Sequence, residues 1–218
     1  MKQFWLIQKE CLRRAATPFI MYFFVGGIML AALGLTSDTV LRWIIMVALL
    51  ALGIFYNFGL MSGVGELHYK SYCAGAVRRM NNFSLEAGKD YKPYQEYRLY
   101  KGFLAGAYIG IPVAILIVIA AANIGQDAED AALFYGLSGS TAAAVLLLIL
   151  SGWAIIPIML LRVAVPTLSL FWALPFAIIP IVVSGIAYYV GAMKEKKKRE
   201  NMEKYRAEVM AAGKKKRK

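Results

Sequence analysis

The sequence predicts an all-α fold, a polytopic bundle of transmembrane helices, and two observations support this prediction. Hydrophobic residues make up 60% of the 218 residues, and the mean hydropathy is +0.56, above the values of ordinary soluble domains. The charge is also segregated, because the chain between positions 101 and 194 holds only four charged residues, Asp127, Glu129, Asp130 and Arg162. A bilayer excludes charge from long segments in this way, since hydrocarbon offers no water to solvate it.

Residues 1–17 are predicted to form a short amphipathic helix in the membrane interface. Apolar residues recur there at steps of three and four, at Phe4, Ile7, Cys11 and Ala15. Basic residues lie mainly on the other face. This pattern is typical of a helix that rests at the boundary between lipid headgroups and hydrocarbon.

The next segment, 18–62, is predicted to be a transmembrane hairpin. Its first span runs from Pro18 to about Leu35, and its second span runs from about Val40 to Met61. Each is close to the ~17–25 residues that cross a bilayer as a helix. A basic, Tyr-rich loop at 63–101 follows, and we expect this loop to be cytoplasmic.

Residues 102–192 are predicted to hold the remaining spans, whose number is left open by length alone. The third span begins at Gly102 and ends at Gly125, and the stretch 131–193 contains Arg162 as its only charge. Two long helices in that stretch would give five spans in all, and three helices of about 20 residues would give six.

The distribution of Lys and Arg favours six spans over five. Positive residues concentrate on the cytoplasmic side of a membrane. Six spans place the leader, the 63–101 loop and the basic tail at 193–218 on that side together, and the last 25 residues alone hold 12 Lys or Arg. We therefore expect a multi-pass protein of the cell (plasma or inner) membrane with both termini in the cytoplasm.

Glycine and proline positions predict how the spans pack and bend. One face of the third span carries three glycines, Gly102, Gly106 and Gly110. A neighbouring helix backbone can approach closely along such a face. Prolines predict kinks in three spans, at Pro112, Pro157 and Pro180. Channels and transporters use kinked helices to shape cavities and hinges.

Two polar residues within the predicted spans form a candidate intramembrane site, Arg162 and Asn57. A charged side chain at the bilayer centre costs ~2.5–3.5 kcal/mol on insertion scales and normally has a partner. With six spans Arg162 falls near the middle of the fifth helix, whereas with five it lies at a helix end and snorkels. No Asp, Glu or His falls within a predicted span, which disfavours a proton- or sodium-coupled carrier.

Tyrosines precede the third span at every third position, at Tyr91, Tyr94, Tyr97 and Tyr100. Together with Lys and Arg they are typical of an anchor in the membrane interface. The basic tail favours anionic lipid headgroups at the cytoplasmic face over nucleic acid. The lipid bilayer is thus the main expected partner, and a homo-oligomer or a partner protein stays open.

No motif in the sequence indicates catalysis, a cofactor or a metal. The chain has one histidine, so HExxH zinc chemistry and a His-based triad lack their residues. A P-loop and a GxSxG motif are also missing from the sequence. We therefore expect a protein that is not an enzyme and that has no catalytic, cofactor-binding or metal-binding residues.

Two functions compete on this evidence. Kinked helices, glycine packing and Arg162 favour a small transport-type membrane subunit, either permease-like or channel-like. The alternative is a non-transporting membrane scaffold or membrane-protein biogenesis factor that recruits partners through its basic loop and tail. An intramembrane enzyme ranks last.

Overall fold

The computed structural model describes residues 2–35, 38–80, 92–123, 141–165 and 167–215. Within these ranges the fold is all-helical, which confirms the predicted fold class. The five α-helices are α1 (Lys2–Leu35), α2 (Thr39–Met80), α3 (Tyr100–Asn123), α4 (Thr141–Ala164) and α5 (Leu174–Lys215). Two short 3-10 helices accompany them, Pro93–Gln95 and Leu170–Ala173.

Within the described ranges, four helical segments are long and apolar enough to cross a membrane. They are Gln3–Ala32, Thr39–Ala76, Tyr100–Ala121 and Leu170–Met210, and α4 adds the shorter apolar stretch Ile149–Ala164. A hydrocarbon core about 30 Å thick needs only ~20 helical residues. Because α2 and α5 have 42 residues each, both are longer than one crossing requires. The described helices do not confirm the predicted count of six spans.

The surface of the bundle is apolar and its interior contains polar groups. Exposed side chains include Phe24 and Ile28 on α1, Phe55 on α2, Ile115 on α3 and Ile186 on α5. Soluble monomers rarely expose apolar surface on this scale. The arrangement is the one that a lipid environment stabilises, since lipid tails can cover apolar side chains and polar groups must find partners inside.

Helix α1 runs without a break through Pro18, so the separate interfacial helix predicted for 1–17 is not confirmed. The buried residues of α1 follow one another at steps of three, four and seven: Ile7, Cys11, Ala15, Tyr22, Val25 and Met29. The apolar face of 1–17 is therefore in phase with the buried face of the following span. Because one stripe continues along both parts, the N-terminal segment packs on the bundle.

Helix α2 continues through the first part of the segment predicted as a loop. The structure places 63–80 in α2 and the last two residues of that segment, Tyr100 and Lys101, in α3. A Cβ atom on Gly65 would collide with the backbone of Tyr188 in α5. This close approach shows that packing against α5 stabilises α2 beyond the end of its apolar stretch.

Contacts between side chains fix the direction of each helix. Helix α1 is antiparallel to α2, since Glu10 lies near His68 while Tyr22 lies near Asn57. Helix α5 is parallel to α2, because Ser184 contacts Asn57 and Glu195 lies near Lys70. Both the start of α1 and the last third of α5 therefore lie at one end of the bundle, here called the terminal end.

The two remaining helices run in the same direction as α1. Helix α3 is antiparallel to α5, because Gly102 lies against Tyr188 and Gly110 against Ala177. Helix α4 is parallel to α1, since Gly26 lies against Ile149, and Leu160 shares a void with residues near the end of α1. Three helices thus run away from the terminal end and two run back towards it.

Candidate functional site

Glu10 is the first residue of a group of buried polar side chains at the terminal end. It lies on the inner face of α1, where only 5% of it is exposed. Its Oε1 accepts hydrogen bonds from Arg13 Nη2 at 3.1 Å and from Arg14 Nε at 2.9 Å, one turn along the same helix. These two guanidinium groups supply the positive charge that a nearly buried carboxylate requires.

His68 of α2 lies between Glu10 and α5. Its Nε2 is 3.8 Å from Glu10 Oε1, and its Nδ1 is 2.9 Å from the hydroxyl of Tyr188. The second contact is a hydrogen bond, while the first is too long to be one. Among the described residues, Nε2 has no hydrogen-bond partner. The imidazole therefore has one nitrogen bound to a hydroxyl and the other facing a carboxylate.

Lys101 holds the segment before α3 over this group. It is buried, and its Nζ donates to the carbonyl oxygens of Tyr94 at 2.6 Å and Glu96 at 2.5 Å. The backbone N–H of Tyr97 donates to the carbonyl of His68 at 3.0 Å, and the ring of Tyr97 stacks on that of Tyr188 at 5.2 Å. Residues 94–97 thereby cover the polar group at the terminal end.

A second polar group lies deeper in the bundle. Ser184 is one turn before Tyr188 on α5, and its Oγ donates to Asn57 Oδ1 at 3.2 Å. Asn57 Nδ2 lies 3.2 Å from Ser184 Oγ and 3.4 Å from the hydroxyl of Tyr22, within donating distance of both. All three side chains are buried. The amide of Asn57 thus joins α1, α2 and α5 at mid-height.

Trp153 of α4 lies at the inner end of this group. Its ring is buried and packs on that of Tyr22 with centroids 4.5 Å apart. Its Nε1 has no hydrogen-bond acceptor among the described residues. Gly26 makes room for α4, since a Cβ there would collide with Ile149 and crowd the backbone of Trp153. A buried indole N–H without an acceptor is unusual, because such groups normally find a partner.

Together these side chains form a polar column along the inside of the bundle. We define the polar column as Glu10, His68, Tyr188, Ser184, Asn57 and Tyr22. From His68 to Asn57 along α2 it covers roughly 17 Å of helix, about half of a hydrocarbon core.

An apolar layer fills the bundle beyond Tyr22 and Trp153. A void of about 10 Å³ lies there, and Arg42 of α2 lines it together with Met29 of α1, Met46 of α2 and Leu160 of α4. This volume is near the minimum that one water molecule needs. The polar column therefore reaches inwards from the terminal end, and apolar side chains separate it from the far end.

Of the two predicted intramembrane polar residues, Asn57 lies in the polar column and Arg162 does not. Arg162 lies in the last turn of α4, towards the far end. It is only 7% exposed, and neither Nε nor Nη1 has a hydrogen-bond partner among the described residues. Its position at a helix end matches the five-span layout of the prediction, while its burial differs from the snorkelling expected there.

The three predicted packing glycines all face α5. A Cβ on Gly106 would lie 2.5 Å from the Cα of Ile181 and 2.6 Å from the carbonyl oxygen of Pro180. Gly102 and Gly110 face the same helix one turn to either side. The predicted kink positions lie inside helices, Pro112 in α3, Pro157 in α4 and Pro180 in α5.

The four tyrosines before the third span have different surroundings. Tyr94 contributes its carbonyl to Lys101, and Tyr97 stacks on Tyr188, as described above. Tyr100 begins α3 and is exposed, and Tyr91 lies outside the described residues. Two of the predicted interfacial anchors thus take part in covering the polar column.

Sequence reasoning missed most of the polar column. Glu10 and His68 were assigned to the leader and the loop because charged residues mark the ends of apolar runs. Tyr22, Ser184 and Tyr188 carry no pattern of their own in an apolar span. One signal was available from the sequence. Apolar positions recur along one face of α1, and Glu10 lies beside this face because it directly precedes Cys11.

No group of three or more His, Cys, Asp or Glu side chains suited to hold a metal ion occurs in the described part of the chain. No family model, curated protein or solved structure matches this chain. The fold and the polar column therefore have to be interpreted from their own chemistry.

Proposed function

We propose that this chain is a small transport-type membrane subunit, permease-like or channel-like, in which the polar column forms one half of a pathway. The proposal includes six spans in the plasma or inner cell membrane, with both termini in the cytoplasm. The directions of the helices support a common side for the termini, because the start of α1 and the last third of α5 lie at one end of the bundle. The distribution of Lys and Arg supports the count of six.

The observation that supports transport is the burial of the polar column inside an apolar bundle. Polar and ionisable side chains within membrane proteins are costly and usually mark a path for ions or protons. The column offers a carboxylate, an imidazole, three hydroxyls and an amide in sequence. The indole N–H of Trp153 adds a donor that a passing water or solute can use, and Nε2 of His68 adds a donor or an acceptor according to its tautomer.

The apolar layer gives this pathway a gate. Met29, Met46 and Leu160 surround a void at the limit for a single water. Constrictions lined by apolar side chains can close a pathway because water leaves them readily. Passage then requires α1, α2 and α4 to separate slightly at this layer, so that the hydrated column connects to the far end.

Flux through reconstituted vesicles tests the proposal. Protons are the first species to examine, since a chain of hydrogen-bonding groups and water can carry them. The purified protein is placed in vesicles that contain a pH-sensitive dye, and a pH gradient is applied. We expect faster decay of the gradient than in protein-free vesicles, and slower decay when Asn57→Leu removes the amide at the centre of the column.

The matched control is Ala48→Leu, at an exposed position of α2, where an added side chain is expected to meet lipid. It should leave the flux unchanged. Absence of flux above protein-free vesicles, for protons and for a panel of small ions, would reject the transport proposal. Equal flux in the Asn57→Leu variant would remove the polar column from the pathway.

A further inference from the structure

The end of α5 extends well beyond the bundle. The helix is unbroken from Leu174 to Lys215, and it still lies beside α2 at Glu195 and Arg199, which interact with Lys70 and Tyr69 respectively. From Lys194 to its end it covers roughly 30 Å at about 1.5 Å per residue. Every residue from 201 to 210 is exposed. We call the segment 194–215 the arm.

The face of α5 that packs on α2 continues along the arm. Its positions alternate between steps of three and four: Tyr188, Gly191, Glu195, Lys198, Met202, Tyr205 and Val209. The first three contact α2, at His68, Ser62 and Lys70 respectively. Alternating steps of three and four are the spacing of a coiled-coil seam. The first part of the seam is therefore the interface between α5 and α2.

Beyond Glu195 the seam has apolar side chains without cover among the described residues. Met202 is 46% exposed, Tyr205 68% and Val209 53%. The side of the arm that carries Met202, Tyr205 and Arg206 is open, and the residues around it all belong to α5. Exposed apolar side chains on a helix that is otherwise charged indicate a surface for a partner helix.

Charge indicates which kind of helix fits the seam. In a coiled coil the residues that flank the seam select the partner through ion pairs. Arg199 and Arg206 flank the seam on one side. Lys194, Asn201 and Glu208 flank it on the other side, and Glu208 is the one acid at the flanking positions between 194 and 208. A partner helix with acidic flanking residues would complement this pattern, whereas a second copy of the arm would oppose it with like charge.

The position of the arm separates this surface from the membrane. If α5 crosses the bilayer with residues 174–193, the headgroup layer ends within about 8 Å of Lys194. Met202 to Val209 then lie roughly 4–15 Å further out, which is about half to two Debye lengths at physiological salt. Attraction to anionic lipid falls off over this distance, and methionine and valine offer nothing to an RNA backbone.

We propose that the seam at Met202, Tyr205 and Val209 docks an acidic amphipathic helix of another protein, in a coiled-coil-like pairing. Apolar residues of the partner insert between the three seam residues. Its acidic residues pair with Arg206 and compete with Glu195 for Arg199, whose Nε donates to Glu195 Oε1 at 3.1 Å. This proposal is independent of transport, because no residue of the seam beyond Glu195 contacts the polar column.

A designed probe tests the docking. The full-length protein is placed in nanodiscs of zwitterionic phosphatidylcholine, and a fluorescent synthetic peptide of four heptads carries Leu at the seam positions and Glu at the flanking positions. We expect binding by fluorescence anisotropy. Arg206→Glu should weaken it about tenfold or more, since tenfold corresponds to about 1.4 kcal/mol, the scale of a lost and reversed ion pair.

Lys204→Glu is the matched control, because it makes the same charge change on the opposite face of the arm. It should alter the dissociation constant less than about twofold. A peptide with Lys at the flanking positions should bind the Arg199→Glu/Arg206→Glu double variant better than the unaltered protein. This reversal cannot result from misfolding, since it requires a gain of binding.

Three results would overturn the proposal. The first is no peptide binding, and the second is equal weakening by Arg206→Glu and Lys204→Glu, which would indicate attraction by net charge alone. The third is that the arm binds another target more tightly than it binds the peptide, and that Met202→Asp abolishes this binding. The targets to compare are vesicles with anionic lipid, an RNA oligonucleotide and a second copy of the protein.

Discussion

Lys101 and Arg162 are both buried cations, but their surroundings differ. The ammonium of Lys101 has two carbonyl acceptors at 2.5–2.6 Å. Two nitrogens of the Arg162 guanidinium have no acceptor among the described residues. A buried charge stabilises a fold only when its hydrogen bonds are made, and otherwise it opposes folding. The two residues should therefore respond in opposite directions when the charge is removed.

Lys101→Met should destabilise the protein. Two buried carbonyls would lose their donor, and residues 94–97 would lose their attachment over His68. Charged hydrogen bonds contribute about 1.5–3 kcal/mol each to stability, so a loss of roughly 2–4 kcal/mol is expected. Thermal unfolding of the detergent-solubilised protein measures it. Lys9→Met, at an exposed position of α1, is the control, and an equal fall in Tm for both would contradict the role given to Lys101.

Arg162→Leu should leave the protein equally stable or more stable. The substitution removes a buried charge without removing a hydrogen bond of Nε or Nη1, and exchanging buried ions for apolar residues is often neutral or stabilising by about 1–4 kcal/mol. The same unfolding assay applies, with Arg162→Lys as a variant that keeps the charge. A fall in Tm as large as that of Lys101→Met would mean that Arg162 has a partner in the folded protein.

At the scale of helices, close packing depends on which glycines face a neighbour. Gly106 faces the backbone of α5, whereas Gly63 has nothing within 4 Å of the position of a Cβ. A backbone cannot move aside as a flexible side chain can. A methyl group at Gly106 therefore forces α3 and α5 apart, while one at Gly63 meets open space.

Gly106→Ala should lower stability by about 1–3 kcal/mol, the usual cost of overpacking. Gly63→Ala should be neutral or stabilising by up to about 1 kcal/mol, because alanine favours the helix. Thermal unfolding of the two variants, each with one added methyl group, isolates packing from helix propensity. Equal shifts in Tm would show that the face of α3 with Gly102, Gly106 and Gly110 does not control the contact.

The sequence allowed the helices to be predicted better than their ends and their contacts. Apolar runs and the glycine spacing in α3 are local patterns, so the helical class and a face for close packing followed from them. The ends of α1 and α2 did not, because Glu10 and His68 lie in the segments 1–17 and 63–101, which are predicted to flank the spans. Their burial depends on Arg14 and Tyr188, which local patterns do not reveal.

The polar column was beyond prediction for a related reason. Asn57 and Ser184 are separated by 127 positions along the chain, and a single sequence gives no register between two apolar helices. Asn57 could be singled out because it is polar within an apolar span. Its partners could be identified only once α2 and α5 were seen to be parallel, with these two residues at the same height.

For the whole molecule, the helix directions make a prediction about sidedness. Lys204 lies on the arm at the terminal end, and Asp38 precedes α2 at the far end. With Cys11 and Cys73 replaced by alanine, single cysteines at these two positions report which side each faces. In intact cells an impermeant thiol reagent should label Asp38→Cys but not Lys204→Cys.

Labelling of both positions after the cells are opened is the control for reactivity. Labelling of Lys204→Cys in intact cells would place the arm outside and contradict the cytoplasmic termini. Labelling of neither position in intact cells would contradict an exposed far end. The first result would also exclude a cytoplasmic partner for the arm.

Because α5 is a single 42-residue helix, a tilt that moves one of its ends also moves the other. The helix approaches α2 most closely at Gly191, beside Ser62, so a tilt of α5 would pivot at Gly191. A tilt of about 10° there would carry the end of the arm roughly 6 Å sideways and move Ser184 about 2 Å the other way, from a rise of about 1.5 Å per residue. A shift of that size would break the hydrogen bonds between Ser184 and Asn57, so a tilt of the arm would alter the polar column.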